Sequence, residues 1–386
     1  MSVTGPAGFR AAGVAAGIKD AGAKDLALVV NDGPRQTAAG VFTTNKVKAA
    51  PVLWSQQVLQ ERKLRAVVLN SGCANACTGP GGFQDTHATA EKVAEVLGVG
   101  AIEVAVCSTG LIGERLPMDA LLPGVDAAAA SLEATEQHGL DAATAVLTTD
   151  SRAKQAHRGH DEGWSIGGFA KGAGMLAPNM ATMLSVLTTD AEISGEDLDE
   201  ALRAATKVTF DRLDVDGGTS TNDTVLVLAS GASGVRVDPA EFTRLLTETC
   251  QDLVRQLQDD SEGATKTIDI TVRGAVSEAD AVAIGRIVAE DNLVKTAMFG
   301  SDPNWGRIAM ALGRAPAEID VDEVAIATNG VTLYADGATA SDRGEADLSG
   351  RHIEIVIDLQ LGEHAATILS TDLSHGYVEE NSAYSS

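Results

Sequence analysis

Lys171-Gly172-Ala173-Gly174-Met175-Leu176-Ala177-Pro178-Asn179-Met180-Ala181-Thr182 runs without a break into Met183-Leu184-Ser185-Val186-Leu187. The first stretch is chain punctuation: Gly172 and Gly174 open dihedrals closed to other residues, and Pro178 restricts Ala177 to extended conformations. The second, residues 182–187, is apolar at nearly every position apart from Ser185, the pattern of a strand covered on both faces. A flexible segment thus feeds straight into the protein interior. An ordinary connecting loop would satisfy this pattern, and composition alone favours it. A segment built to hold an unusual peptide beside a buried threonine would satisfy it too.

Outward from this point, short apolar runs alternate with helical patterns, which predicts a mixed α/β protein. Strands are expected at residues 26–30, 66–69, 104–107 and 164–170, with helices over 86–97 and much of 125–137. The run Thr78-Gly79-Pro80-Gly81-Gly82 reads as a loop. Past the central segment, Asp238 can cap a helix whose first turn holds Pro239, where a missing N–H costs nothing. Phe242, Leu245, Leu246, Cys250, Leu253, Val254 and Leu257 recur at three- and four-residue steps and predict one buried face. Residues 267–272 alternate in Ile268, Ile270 and Val272, and together with 353–359 are expected as strands.

The chain has 386 residues, enough for one large lobe or two, and 44% of them are hydrophobic. Aromatic residues make up only 3% while glycines number 40, so the core must be assembled from Val, Leu, Ile and Ala. With 54 acidic residues against 29 basic ones, the net charge is −25. Such a surface repels phosphate backbones and anionic lipid heads, so neither nucleic acid nor membrane is an expected partner. Cys73, Cys77, Cys107 and Cys250 form no Cys-x-x-Cys pair and have no histidines clustered near them. They read as buried free thiols of a reducing compartment rather than as zinc ligands, so no metal is expected. Residues 1–22 carry no apolar signal region and no run reaches the roughly 18 apolar residues of a membrane span, which predicts a cytoplasmic protein.

The central segment resembles the ornithine acetyltransferase family, the bifunctional glutamate N-acetyltransferases of arginine biosynthesis. The likeness includes Cys107-Ser108-Thr109-Gly110-Leu111-Ile112-Gly113, Thr148-Thr149-Asp150 and Asp216-Gly217-Gly218-Thr219-Ser220-Thr221-Asn222-Asp223-Thr224. It continues through Asp260-Ser261-Glu262-Gly263-Ala264-Thr265-Lys266 and Gly300-Ser301-Asp302-Pro303-Asn304-Trp305-Gly306-Arg307. It ends in Tyr377 and Asn381-Ser382-Ala383-Tyr384-Ser385-Ser386. These blocks span essentially the whole chain in the family's order. The segment Asn70-Ser71-Gly72-Cys73-Ala74-Asn75-Ala76 is similar to the arginine-pathway branch rather than to a secondary-metabolism branch with overlapping motifs.

The resemblance implies a sandwich of sheets with helices outside, related to other self-processing hydrolases such as aminopeptidases. It implies self-cleavage between Ala181 and Thr182 into pieces 1–181 and 182–386 that form one intertwined unit and assemble as an α2β2 heterotetramer. Thr182 would then be the nucleophile, Thr109 and Gly110 the oxyanion hole, and Thr148, Lys171, Thr182, Glu262, Asn381 and Ser386 the substrate-binding set. For the threonine of the binding set the family pattern favours Thr148 over its neighbour Thr149. The implied substrates are N2-acetylornithine and glutamate, with no cofactor and with acetyl-CoA as an additional donor in bifunctional members. No Gly-rich phosphate loop opening a helix marks a coenzyme A site in this sequence.

Chemistry agrees with these assignments. A threonine hydroxyl is a feeble nucleophile, but cleavage before it frees an α-amine with a reference pKa of about 7.7–8.0, so nucleophile and base arrive on one residue. That suits a chain whose seven histidines fall in no triad. Each residue also has a plainer reading: Thr109-Gly110 as a turn after the strand 104–107, Lys171 as a solvated loop lysine, Glu262 as a surface carboxylate, and Asn381 and Ser386 as a frayed chain end. Two other functions fit the same pattern. A self-processed amidase would hand the acyl group to water, and an unprocessed amino-acid-binding protein would keep the fold without the chemistry.

Overall fold

The computed structural model describes residues 2–19, 22–176 and 183–383, so Ala181, Thr182 and Ser386 lie outside the described residues. The strands are β1 (Phe9–Val14), β2 (Leu26–Asn31), β3 (Thr37–Phe42), β4 (Ala66–Cys73), β5 (Val104–Leu111), β6 (Lys154–Gly159), β7 (Ser165–Lys171), β8 (Leu184–Thr189) and β9 (Thr224–Ala229), followed by β10 (Thr267–Ala275), β11 (Ala325–Thr328), β12 (Val331–Ala335), β13 (Ala338–Thr339), β14 (His352–Asp358) and β15 (His364–Thr371). They form three sheets in the orders β1-β2-β4-β5, β3-β9-β8-β7-β6 and β13-β12-β11-β14-β10-β15. The first two share a core. Phe169, Leu184, Val186, Leu226 and Leu228 from the five-stranded sheet pack in one cluster with Leu26, Leu28, Val67 and Leu69 of the four-stranded sheet.

Helices cover the outside. On the four-stranded sheet lie α1 (Ala50–Val58), α2 (Gly79–Leu97), α3 (Met118–Ala130) and α4 (Glu136–Ala145). On the far face of the five-stranded sheet, α5 (Gly195–Val208) and α6 (Pro239–Asp259) bury Leu202, Phe242, Leu246 and Val254 against Ile166, Leu187 and Val227. The expected sandwich with outer helices is therefore present. A further apolar cluster binds the six-stranded sheet to α7 (Glu278–Glu290), α8 (Asn292–Phe299) and α9 (Trp305–Leu312), and α10 (His375–Ala383) follows β15.

The apolar run after residue 182 becomes β8, an inner strand between β7 and β9 with every residue buried. Leu184 and Val186 face the sandwich core, while Met183 and Leu187 face the helical layer, so both faces need apolar side chains. The capped helix also forms as its residues dictate. Asp238 accepts the N–H groups of Ala240 and Glu241 at 3.0 and 3.1 Å, and all seven periodic residues of α6 are buried.

Four expectations need correction. Residues 125–137 do not form one helix: α3 ends at Ala130, and Thr135 caps α4 by accepting the N–H of His138. Gly79-Pro80-Gly81-Gly82 is not a loop but the first turn of α2, where Pro80 has no N–H to lose and Gly82 packs against Thr78 and Asn75. The strand expected to end at Cys107 runs on to Leu111, because β4 pairs alongside it through Gly72↔Gly110. Cys73, Cys107 and Cys250 are buried, but Cys77 is exposed on a turn.

Candidate active site

Five separate parts of the chain are brought together by these sheets. Thr109 and Gly110 stand at the end of β5, where β4 and β5 run parallel. Gly110 has φ +129° and lies so near the Gly72–Cys73 peptide that an added Cβ would collide with its backbone. Lys171 is the last residue of β7 and pairs across the ladder with Leu184, two residues beyond Thr182. Thr148 and Thr149 follow α4, Glu262 follows α6, and Asn381 sits on α10. With Asn222 and neighbouring residues they line one cleft of about 620 Å³.

Lys171 is not the solvated loop lysine of the plainer reading. It is 1% exposed and donates to Thr109 Oγ1 at 3.1 Å and to Thr148 Oγ1 at 2.9 Å. Burial pulls its ammonium below the ordinary lysine range, against the attraction of Asp150. The Asp150 carboxylate lies 4.0 Å from the Lys171 Nζ, accepts Lys154 Nζ at 2.6 Å, and takes the Gly172 N–H at 2.6 Å. Burial drives the Asp150 carboxyl up, but the two ammonium groups and these hydrogen bonds outweigh it and hold it below the usual carboxylate range. Lys154 also meets Asp260 at 2.5 Å, which fastens the start of β6 to the turn after α6.

Glu262 faces the cleft from the other side. Its Oε1 accepts the Thr149 hydroxyl at 2.6 Å, and its Oε2 accepts Asn381 Nδ2 at 2.8 Å. The neighbouring threonines thus have different partners, Thr148 the lysine and Thr149 the glutamate. A Cβ on Gly174 would fall within the Glu262 carboxylate, so the glycine is what lets the chain before residue 182 pass close to it. Met175, in the left-handed region at φ +54°, is held by Asp216, which accepts its N–H at 2.7 Å and the Tyr377 hydroxyl at 3.3 Å. That carboxylate ties α10, and with it Asn381, to the floor of the cleft.

The structure brings Thr109, Gly110, Thr148, Lys171, Glu262 and Asn381 to one place, whereas Ala181, Thr182 and Ser386 lie outside the described residues. Sequence reasoning singled out neither Asp150 nor the pair Asn222 and Asp223. Asn222 donates to Ala74 O and Ser108 O, and Asp223 accepts the N–H of Met183. Burial pushes the Asp223 carboxyl well up. The signal was the dense polar run 219–224 placed directly before the apolar run 225–229, an expensive arrangement unless those groups have internal partners.

The chain is similar to known proteins along its length. The family model described as ArgJ family matches residues 10–386. A protein of Mycolicibacterium paratuberculosis named arginine biosynthesis bifunctional protein ArgJ is 60% identical over 391 residues, covering 100% of this chain and 97% of the relative. One of the same name from Thermobifida fusca is 58% identical over 385 residues, covering 100% of both. Among solved structures, an ornithine acetyltransferase of Mycobacterium tuberculosis complexed with ornithine is 64% identical, covering 46% of this chain and 94% of the solved one, with a TM-score of 0.46. A family match over nearly the whole length, together with full-length relatives near 60% identity, shows that this chain belongs to the ArgJ family.

Proposed function

We propose that this chain is a glutamate N-acetyltransferase of arginine biosynthesis, which moves acetyl from N2-acetylornithine to glutamate and releases ornithine and N-acetylglutamate. The observation that carries the reading is the meeting, on one cleft, of a buried lysine, an opposed glutamate and the Thr109-Gly110 strand end, beside the strand that continues the chain from Thr182. A zwitterionic substrate needs one cation and one anion set apart, and Lys171 and Glu262 supply them.

In this reading the bond between Ala181 and Thr182 is cut by the protein itself, leaving pieces 1–181 and 182–386 as one catalytic unit. The new α-amine of Thr182 takes the proton from its own hydroxyl as the oxygen attacks the acetyl carbonyl of N2-acetylornithine. Thr109 and Gly110 meet the negative charge that develops on the acetyl carbonyl oxygen. The C–N bond breaks, the proton passes to the departing amine of ornithine, and the acetyl group remains as an ester on Thr182. The amine of glutamate then attacks this ester, again through the Thr109-Gly110 hole, and restores the hydroxyl. Lys171 and Thr148 take the substrate α-carboxylate, and Glu262 with Asn381 the side-chain ammonium of ornithine, with Ser386 completing the binding set.

No step requires a metal or an organic cofactor. The relatives are named bifunctional, which supports acetyl-CoA as a second acetyl donor. Among the described residues no helix is long and apolar enough to cross a membrane. The reading also includes a cytoplasmic α2β2 assembly of the cleaved chains.

Mass spectrometry of the purified protein tests the proposal. A fragment beginning Thr182-Met183-Leu184 is expected, and Thr182→Ala should remove that fragment and the turnover together. Active protein found as one uninterrupted polypeptide defeats the mechanism. Release of acetate alone at every glutamate concentration would instead make the chain a hydrolase.

A further inference from the structure

The dipeptide Asn222-Asp223, just before β9, reaches two strands at once. Asn222 Nδ2 donates to Ala74 O at 2.7 Å and to Ser108 O at 2.8 Å, and its Oδ1 accepts the Thr221 hydroxyl at 2.6 Å. The Ser108 carbonyl belongs to the peptide whose nitrogen is that of Thr109. Asp223 Oδ1 accepts the N–H of Met183 at 3.0 Å, the nitrogen of the peptide bond from Thr182. The next residue, Thr224, donates its N–H to Met183 O at 3.0 Å, so residue 183 is gripped at both its polar backbone atoms. Asn222 and Asp223 are both buried, at 3% and 0% exposure.

These bonds do what no sheet ladder does here. Thr109 stands on β5 and residue 183 leads into β8, and the two strands belong to different sheets. Among the described residues no backbone hydrogen bond joins those two strands. A peptide is planar, so holding the Ser108 carbonyl on Asn222 fixes the Ser108–Thr109 peptide and, through it, the Thr109 residue whose hydroxyl accepts from Lys171. Adjacent residues therefore hold the carbonyl that precedes Thr109 and the N–H that follows Thr182.

We propose that Asn222 and Asp223 are positioning residues: Asn222 fixes the peptide that leads into Thr109-Gly110 and Asp223 seats the peptide that follows Thr182, so that nucleophile and oxyanion hole stay in register. The inference rests on the reading of Thr182 as nucleophile.

The test uses the full chain carrying Asn222→Ala, Asp223→Ala or Asp223→Asn, with Thr182→Ala beside them. Splitting of the full-length chain is followed on denaturing gels, and kcat and KM for N2-acetylornithine with glutamate are measured per cleaved chain. Both alanine variants should slow splitting and kcat by about 10- to 100-fold, the scale of a small misplacement of reacting groups, with KM within about twofold. Asp223→Asn keeps a carbonyl oxygen for the Met183 N–H and should recover to within about threefold of the parent. If an alanine variant at 222 does not accumulate as folded protein, Asn222→Ser, which removes at least one donated bond, should still lower kcat. The proposal is overturned by unchanged splitting and kcat, by a loss confined to KM, or by Asp223→Asn behaving like Asp223→Ala. A Thr182→Ala chain that still splits and turns over defeats the nucleophile reading instead.

Discussion

Asp150 and Lys171 face each other across 4.0 Å with both side chains withdrawn from solvent. The carboxylate serves two ammonium groups, since Lys154 lies 2.6 Å from its other oxygen. One buried anion thus holds the cation that reaches Thr109 and Thr148. Asp150→Asn breaks this buried ion cluster and leaves Lys154 to Asp260 alone, a loss on the order of 3–5 kcal/mol. Denaturant unfolding at neutral pH should show it.

The same carboxylate sets an acid response. Its folded pKa is depressed, so its contribution to stability is fully present above the unfolded value of about 3.9 and is lost as pH falls through the folded value. Thermal midpoints of the parent should therefore fall steeply below about pH 4. Asp150→Asn should be flatter over that window. Parallel curves for the two proteins would sink the assignment.

Glu262→Gln retains hydrogen-bonding capacity towards Thr149 and Asn381 but loses the charge. A charge-assisted contact to an ammonium contributes roughly 1.5–3 kcal/mol, so KM for N2-acetylornithine should rise at least about 10-fold. An acetylated amino acid without a side-chain ammonium should change by less than about threefold on the same basis. Steady-state kinetics with the two donors separates ammonium recognition from general damage.

Gly110→Ala places a methyl group against the Gly72–Cys73 backbone at a φ of +129°. The end of β5 must shift, and with it the peptides assigned to the oxyanion. Loss of one oxyanion donor costs about 10²–10³ in kcat. A drop of that order is expected in acyl transfer, with self-cleavage slowed alongside it.

Asp238→Ala supplies a contrast far from the cleft. It removes the cap on two N–H groups of α6 and should cost about 1 kcal/mol. Chemical denaturation should register the loss while kcat and KM stay unchanged. Any fall in activity would mean that α6 transmits its fraying to Glu262.

Periodicity alone located α6 and β8, because a helix face three to four residues wide and a strand buried on both faces leave unambiguous patterns. It failed at residues 125–137, where the alanines before Ser131 are too uniform to mark a helix end, and the capping signal of Thr135 was the better guide. It failed again at Gly79–Gly82, since glycines read as loop residues unless their neighbours are known to crowd them. The six-stranded sheet was visible only as isolated strands.

For the site, Lys171, Glu262 and Thr109-Gly110 were legible through the family resemblance, since each taken alone has a plainer reading as a solvated lysine, a surface carboxylate and a turn. Their partners were decided by folding. That Thr148 meets the lysine while Thr149 meets the glutamate, and that Asn222 and Asp223 span two sheets, depends on contacts between residues tens to more than a hundred positions apart. A linear sequence carries local pattern because neighbouring residues share one helix or strand. The separation between strands of different sheets is set by packing of the whole core, and only the folded chain contains it.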